Sequence, residues 1–166
     1  FIDDASHVQN KRNIPIYRFI DLKKKFSINE LEICIAVGEP KLRSILYKNI
    51  ISTKFQIATL IDPNVSIPKS TKIGYGTIIC KYVSITCDIE IKENVYIHPM
   101  ACIGHDSIIG KNAIISSFVD VAGNCIVGDE TFLAIGTILK QGVTIGEKSI
   151  LGLGSIVHKN IPSNVI

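Results

Sequence analysis

"IKENVYIHPMACIGHDSIIGKNAIISSFVDVAGNCIV", residues 91–127, decides the fold, because its pattern repeats every sixth position. Ile91, Ile97, Ile103, Ile109, Ile115, Val121 and Val127 are all aliphatic, and the series continues in both directions without a gap. Upstream it runs through Ile61, Ile67, Ile73, Ile79 and Ile85. Downstream it runs through Leu133, Leu139, Ile145, Leu151 and Val157. Four residues after the aliphatic position the side chain is usually small or β-branched, as at Thr77, Ala101, Ser107, Ala113, Cys125 and Thr131. Glycine often follows it directly, as at Gly74, Gly104, Gly110, Gly128, Gly146 and Gly152.

A period of six is neither the helical 3.6 nor the alternation of a strand. A short strand followed by a sharp turn produces it, and three such units close one triangular coil. The period-six residue then points inward, with the small residue filling the space beside it. Turn residues point outward, and the glycines are expected where the backbone needs φ > 0. Coils stacked about 4.8 Å apart pair their backbones and bury a column that no single repeat could bury alone. This is the hexapeptide pattern of left-handed parallel β-helices. A β-sandwich would instead show turn signals every ~8–12 residues and loops of uneven length.

Residues 1–58 follow other rules. "LEICIAVG" (31–38) is an apolar run ending in glycine, which predicts a buried strand. "EPKLRSILYKNI" (39–50) places Leu42, Ile45, Leu46 and Ile50 at helical spacing, with Pro40 in the tolerated first turn. "FQIATLI" (55–61) predicts a second strand leading into the first coil. "YRFIDLKKKF" predicts a short helix whose lysines are solvated. The reading is a partial small α/β (Rossmann-like) domain at 1–58, joined to a β-helix domain at 59–166. Gly38 and the helix start after it lie at the carboxyl edge of a parallel strand, where open α/β sheets bind ligands. Backbone N–H groups there would favour a nucleotide diphosphate, although a glycine at that place is also an ordinary turn residue.

The chain is 46% hydrophobic, with no apolar run long enough to span a bilayer. Its net charge of +3 is too small, and its lysines too scattered, to indicate nucleic acid. Five cysteines at irregular spacings suggest reduced thiols in the cytoplasm and no metal finger. Of the histidines, His7 and His158 lie in polar surroundings near the ends and read as surface residues. His105 falls two places after an inward aliphatic residue, so it belongs to a turn and points outward. Asp106 follows it, and a carboxylate beside an imidazole orients the ring for proton transfer.

"FIDD" (1–4), "IAVGEPKLR", "ATLIDPNVSI", "CIGHDSIIGKNAIIS", "VAGNCIVGDETFLAIGTIL" and "LGLGSIVHKNIPSNV" occur in that order. Together they resemble the bacterial sugar acyltransferases grouped with sialic acid O-acetyltransferases and nucleotide 4-amino-sugar N-acetyltransferases. The resemblance implies acetyl-CoA as co-substrate, a homotrimer with sites between neighbouring β-helices, and a nucleotide sugar held partly by the N-terminal domain. It implies a cytoplasmic enzyme of surface polysaccharide biosynthesis, with no bound metal. His105 matches the family's catalytic base, and Asp106 the acidic neighbour that assists it. Gly123 matches the glycine whose N–H faces the thioester carbonyl. Ile135 and Leu153 match positions along the coenzyme A channel, and Ile114 falls where some members place a second histidine near the donor. Asp3, Asp4 and Gly38 match positions that hold the nucleotide. His98 stands where the family usually has asparagine; it is assigned to the acceptor side, with a structural role as the alternative.

The expected reaction is direct attack of an acceptor amine on the thioester, with His105 as general base. A sugar hydroxyl, as in sialic acid O-acetylation, is the alternative acceptor. Two other classes remain: a non-catalytic β-helix partner protein, and a γ-type carbonic anhydrase holding zinc between subunits. The second needs three histidines, and only His98 and His105 lie near one another in the sequence.

Overall fold

The computed structural model describes residues 2–4 and 10–166. Apart from the one around Ile67, each hexapeptide from Ile61 to Val157 contributes a two-residue strand, as expected. Tyr96–Ile97, Cys102–Ile103 and Ile108–Ile109 form the three sides of one coil. The next coil lies over it in parallel register, pairing Ile97 with Ile115, Ile103 with Val121 and Ile109 with Val127. Repetition of this step builds parallel sheets of six, five and five strands. The fold is the left-handed parallel β-helix.

The period-six residues fill the column: Ile97, Ile103, Ile109, Ile115, Val121, Leu133 and Leu139 are each 0% exposed. The small residues beside them explain their own chemistry. A buried hydroxyl must find a partner, and these reach a carbonyl of the adjoining coil: Ser107 Oγ donates to Ala122 O at 3.2 Å, Thr131 Oγ1 to Gly146 O at 3.0 Å, and Ser149 Oγ to Pro162 O at 2.9 Å.

The glycines correct one expectation. Those that follow the aliphatic residue do not have positive φ; a Cβ on Gly104 would lie 2.5 Å from Gly123 N, and one on Gly110 would lie 2.6 Å from Asp129 N. Gly74, Gly104, Gly110, Gly128 and Gly146 are glycines because the adjoining coil passes too close for a side chain, whereas nothing crowds Gly152. The left-handed residue comes two places later, where Asn94, Asp106, Asn112 and Asn124 have φ of 57–59°. Asn and Asp tolerate that conformation better than other side chains. Asp106 therefore occupies a turn position that suits aspartate on backbone grounds alone.

The N-terminal region is a strand–helix–strand unit. Strand Glu32–Ile33 pairs in parallel with Gln56–Ile57, and helix α2 (Pro40–Thr53) crosses between them; a shorter helix α1 (Leu22–Lys25) precedes them. The first strand is shorter than the 31–38 run predicted, although Ile33 and Ile35 are both buried. Leu22, Ile33, Ile35, Ile50 and Phe55 form its core. The predicted helix face is partly wrong. Leu42 and Ile45 are exposed, whereas α2 buries Pro40, Arg43, Ser44 and Ile50. The cause is tertiary: α2 lies against a polar edge of the coil, which Arg43 and Ser44 satisfy. Among the described residues, no helix is long and apolar enough to cross a membrane.

Candidate active site

Turns stack above one another, so the coil presents its outward side chains along edges. Cys87, His105, Gly123 and Gln141 share one edge, each one coil beyond the last. A second carries Tyr75, Glu93, Lys111 and Asp129, and here α2 docks. The third carries Tyr82, Met100, Phe118, Ile135 and Leu153, all 50–77% exposed. Tyr82, Met100 and Phe118 hold φ of 60–64°, which is unfavourable for bulky side chains.

On the first edge His105 Nδ1 lies 2.7 Å from Asp106 Oδ2. With the Nδ1 proton given to that carboxylate, Nε2 is the ring's acceptor and the nitrogen free to take a proton. Both side chains remain about half exposed, so the base is open to a ligand. The turn beneath is fixed by backbone: Asp106 N donates to Cys87 O at 3.2 Å, and Asn124 N donates to His105 O at 2.7 Å. Gly123 lies against the imidazole. A Cβ there would sit 2.5 Å from Nε2 and 2.7 Å from Cε1, so only glycine leaves the ring where it is. His105, Asp106 and Gly123 are thus brought together.

The other expected residues are distributed elsewhere. Ile135 and Leu153 are exposed on the third edge, apart from His105 within one chain. Ile114 is 0% exposed and offers no side-chain surface to a donor, because it is covered within its own chain. His98 follows a strand of the six-stranded sheet, its ring centroid 4.3 Å from that of Tyr96, and its Nε2 is buried without a hydrogen-bond partner. Burial, and after it the nearby Arg43, pushes the His98 imidazole below its ordinary pKa. His98 and His105 belong to different sheets, and no group of three or more metal-ligating side chains occurs among the described residues.

Asp4 Oδ1 accepts from Phe19 N at 2.7 Å, and Asp3 N donates to Tyr17 O at 3.0 Å, which ties "FIDD" to the segment before α1. Gly38 is exposed, has no left-handed φ, and a Cβ on it would meet nothing within 4 Å. The fold does not require glycine there, which leaves room for a ligand. The helix start beside it, however, is already capped. Glu39 accepts from Lys41 N at 2.9 Å and Leu42 N at 2.5 Å, and Pro40 has no N–H to give. The expected diphosphate position at that helix end is filled by a carboxylate. His7 lies outside the described residues. His158 is exposed, and the five cysteines are free thiols.

Sequence reasoning missed Arg43, whose buried place was hidden by its position beside Leu42 in an apparently amphipathic helix. It also missed the apolar third edge, although bulky residues at the turn position of successive repeats were a readable signal.

Residues 88–123 match the family described as bacterial transferase hexapeptide (six repeats). No curated protein matches the chain. Among solved structures, PerB from Caulobacter crescentus in complex with CoA and GDP-perosamine is 25% identical, with a TM-score of 0.85 over 92% of this chain and 74% of that one. The acetyltransferase domain of PglB from Neisseria gonorrhoeae is 24% identical with a TM-score of 0.91, covering 98% of this chain and 79% of that one. WeeI from Acinetobacter baumannii is 22% identical with a TM-score of 0.92, covering 99% and 79%. The likeness extends through the N-terminal unit as well as the hexapeptide array.

Proposed function

We propose that this protein is an acetyl-CoA-dependent N-acetyltransferase acting on the amino group of a nucleotide-linked 4-amino sugar. The observation that carries the reading is the His105 edge: an imidazole held by Asp106, with its accepting nitrogen open above a glycine. Its support is the likeness to PerB, whose solved complex contains CoA and GDP-perosamine, and to the PglB domain, which is also solved with acetyl coenzyme A.

The acceptor amine attacks the thioester carbonyl carbon directly. His105 Nε2 takes the proton as the C–N bond forms, an effect of roughly 10²–10⁴ in rate. Charge develops on the carbonyl oxygen, and the Gly123 N–H is the donor assigned to stabilise it, a contribution of about 3–4 kcal/mol for an oxyanion-hole donor. The C–S bond then breaks, and coenzyme A leaves with the proton that His105 returns. The products are free coenzyme A and the N-acetyl sugar. The buried Cys125 thiol, held against the Lys140 carbonyl at 3.3 Å, takes no part.

The reading includes a homotrimer, because Ile135 and Leu153 share a donor with His105 only where the apolar edge of one copy meets the His105 edge of another. It divides the chain into a nucleotide-sugar-binding unit at 1–58, using Asp3, Asp4 and Gly38, and an acyltransferase unit at 59–166. The enzyme works in the cytoplasm, supplying surface polysaccharide synthesis. The test is release of coenzyme A from acetyl-CoA against a panel of nucleotide 4-amino sugars and sialic acids. Turnover confined to sialic acid would replace the amine with a hydroxyl acceptor; no turnover with any member would reject the enzyme.

A further inference from the structure

Arg43 is 0% exposed, yet its guanidinium is held by carbonyl oxygens rather than carboxylates. Two donors reach the coil: Nε to Asn94 O at 2.7 Å and Nη2 to Gly76 O at 3.2 Å. Nη1 turns the other way, to Ile35 O and to Val37 O, the latter at 3.3 Å. The link is returned by Asn94 Nδ2, which donates to Arg43 O at 3.3 Å and to Asn112 Oδ1 at 2.8 Å. Next to it Ser44 Oγ donates to Glu130 Oε1 at 2.9 Å.

Burying a cation without a counter-charge is costly unless every donor finds an oxygen. Arg43 answers this with an oxygen partner for each of its three nitrogens, bonding two parts of the molecule at once. Gly76 and Asn94 are left-handed turn residues of the coil. Ile35 and Val37 belong to the segment that ends in Gly38, the exposed glycine that the fold does not need. The planar fork of arginine supplies these diverging donors; a lysine ammonium cannot reproduce their geometry.

We infer that Arg43 is a positioning residue for the sugar-nucleotide acceptor: it pins the Val37–Gly38 turn to the coil and so fixes where the acceptor is held relative to the catalytic edge. The nature of the acceptor rests on the acetyltransferase reading; the clasp itself does not. Arg43 touches neither donor nor acceptor and acts through the turn.

The test compares wild type with Arg43→Lys, which keeps the charge and loses the fork, and with Arg43→Met. GDP-perosamine and acetyl-CoA serve as probes, and hydrogen exchange is followed along the chain. The expected result for Arg43→Lys is a rise of roughly tenfold or more in KM for GDP-perosamine, with kcat and the KM for acetyl-CoA within about threefold. Amides at 35–38 should exchange faster while those of residues 103–157 keep their protection. Unchanged exchange at 35–38 would overturn the inference whatever the kinetics. So would a loss shared equally by both substrates and accompanied by faster exchange throughout the coil, because Arg43 would then be merely structural. If Arg43→Met does not fold, the lysine variant carries the test. If wild type itself does not acetylate any nucleotide amino sugar, the functional reading fails and the acceptor role with it, while exchange at 35–38 still reports whether the clasp exists.

Discussion

Two edges of the coil run on the same backbone and are used in opposite ways. Asp106 and Asn112 have the same φ of 59°, each at the turn position of its repeat. Around Asn112 and Asn94 the side chains are buried against α2, and Asn94 Nδ2 donates to Asn112 Oδ1. Around Asp106 they are half exposed, and His105 Nε2 has no hydrogen-bond partner among the described residues. One edge spends its hydrogen bonds on holding the molecule together, and the other keeps an accepting nitrogen available. The repeat therefore sets the geometry of a turn but not its use; what covers the turn decides that.

The largest expected effect separates the edges by activity. His105→Ala should lower kcat by about two to four orders of magnitude, while the thermal midpoint stays near wild type because the ring lies outside the column. Near-full turnover in this variant, measured as coenzyme A release, would show that the exposed edge is not catalytic.

Inside the column the consequence is reversed. Ile115→Ala removes a side chain that is 0% exposed and should cost about 2–5 kcal/mol of stability. Lys111→Ala, at an exposed turn where the ammonium sits 3.3 Å from Glu93, should change it by less than about 0.5 kcal/mol. Equal losses in urea denaturation would contradict the inward and outward assignment on which the position of His105 depends.

Glycines sharpen the contrast further. A Cβ on Gly123 would strike the His105 ring, whereas one on Gly110 would strike the backbone of Asp129. Gly123→Ala should then lower kcat by roughly tenfold to a hundredfold through a displaced base, with little loss of stability. Gly110→Ala should cost about 1–3 kcal/mol through coil separation and leave the activity of the folded fraction intact. If both variants lose only stability, Gly123 has no special relation to the base.

How much was legible follows the same division. The coil, its register and the outward His105 could be read from the sequence because each repeat restates the same constraint, so Ile97 and Ile115 are specified by their spacing alone. The N-terminal helix was legible as a helix and misread as to face: nothing local says that Arg43 is buried, since its partners, Gly76 and Asn94, are 33 and 51 residues away. Glu39 was unreadable as the occupant of the helix start for a similar reason, because a glutamate there could equally have pointed into water. Gly76, Gly136, Gly142 and Gly154 do hold positive φ, whereas the glycines that directly follow the aliphatic residue were assigned to the wrong cause. Their spacing is visible in the sequence, but the approach of the next coil is a three-dimensional fact.

The smallest expected effect concerns His98, on the covered side of the molecule. Its imidazole is held below the ordinary value of 6.5, first by burial and then by the guanidinium of Arg43. A base whose folded pKa lies below its unfolded one is favoured neutral by folding. Above 6.5 both states are neutral there and nothing is lost. As the pH falls through that value the unfolded chain takes up a proton that the folded chain resists, so stability declines. The thermal midpoint of wild type should therefore drop more than that of His98→Asn between about pH 7.5 and pH 5.5. Taking the difference between the two proteins cancels the groups they share. Parallel curves would mean that the ring is solvated in the folded protein, and that His98 belongs with the open edge rather than the covered one.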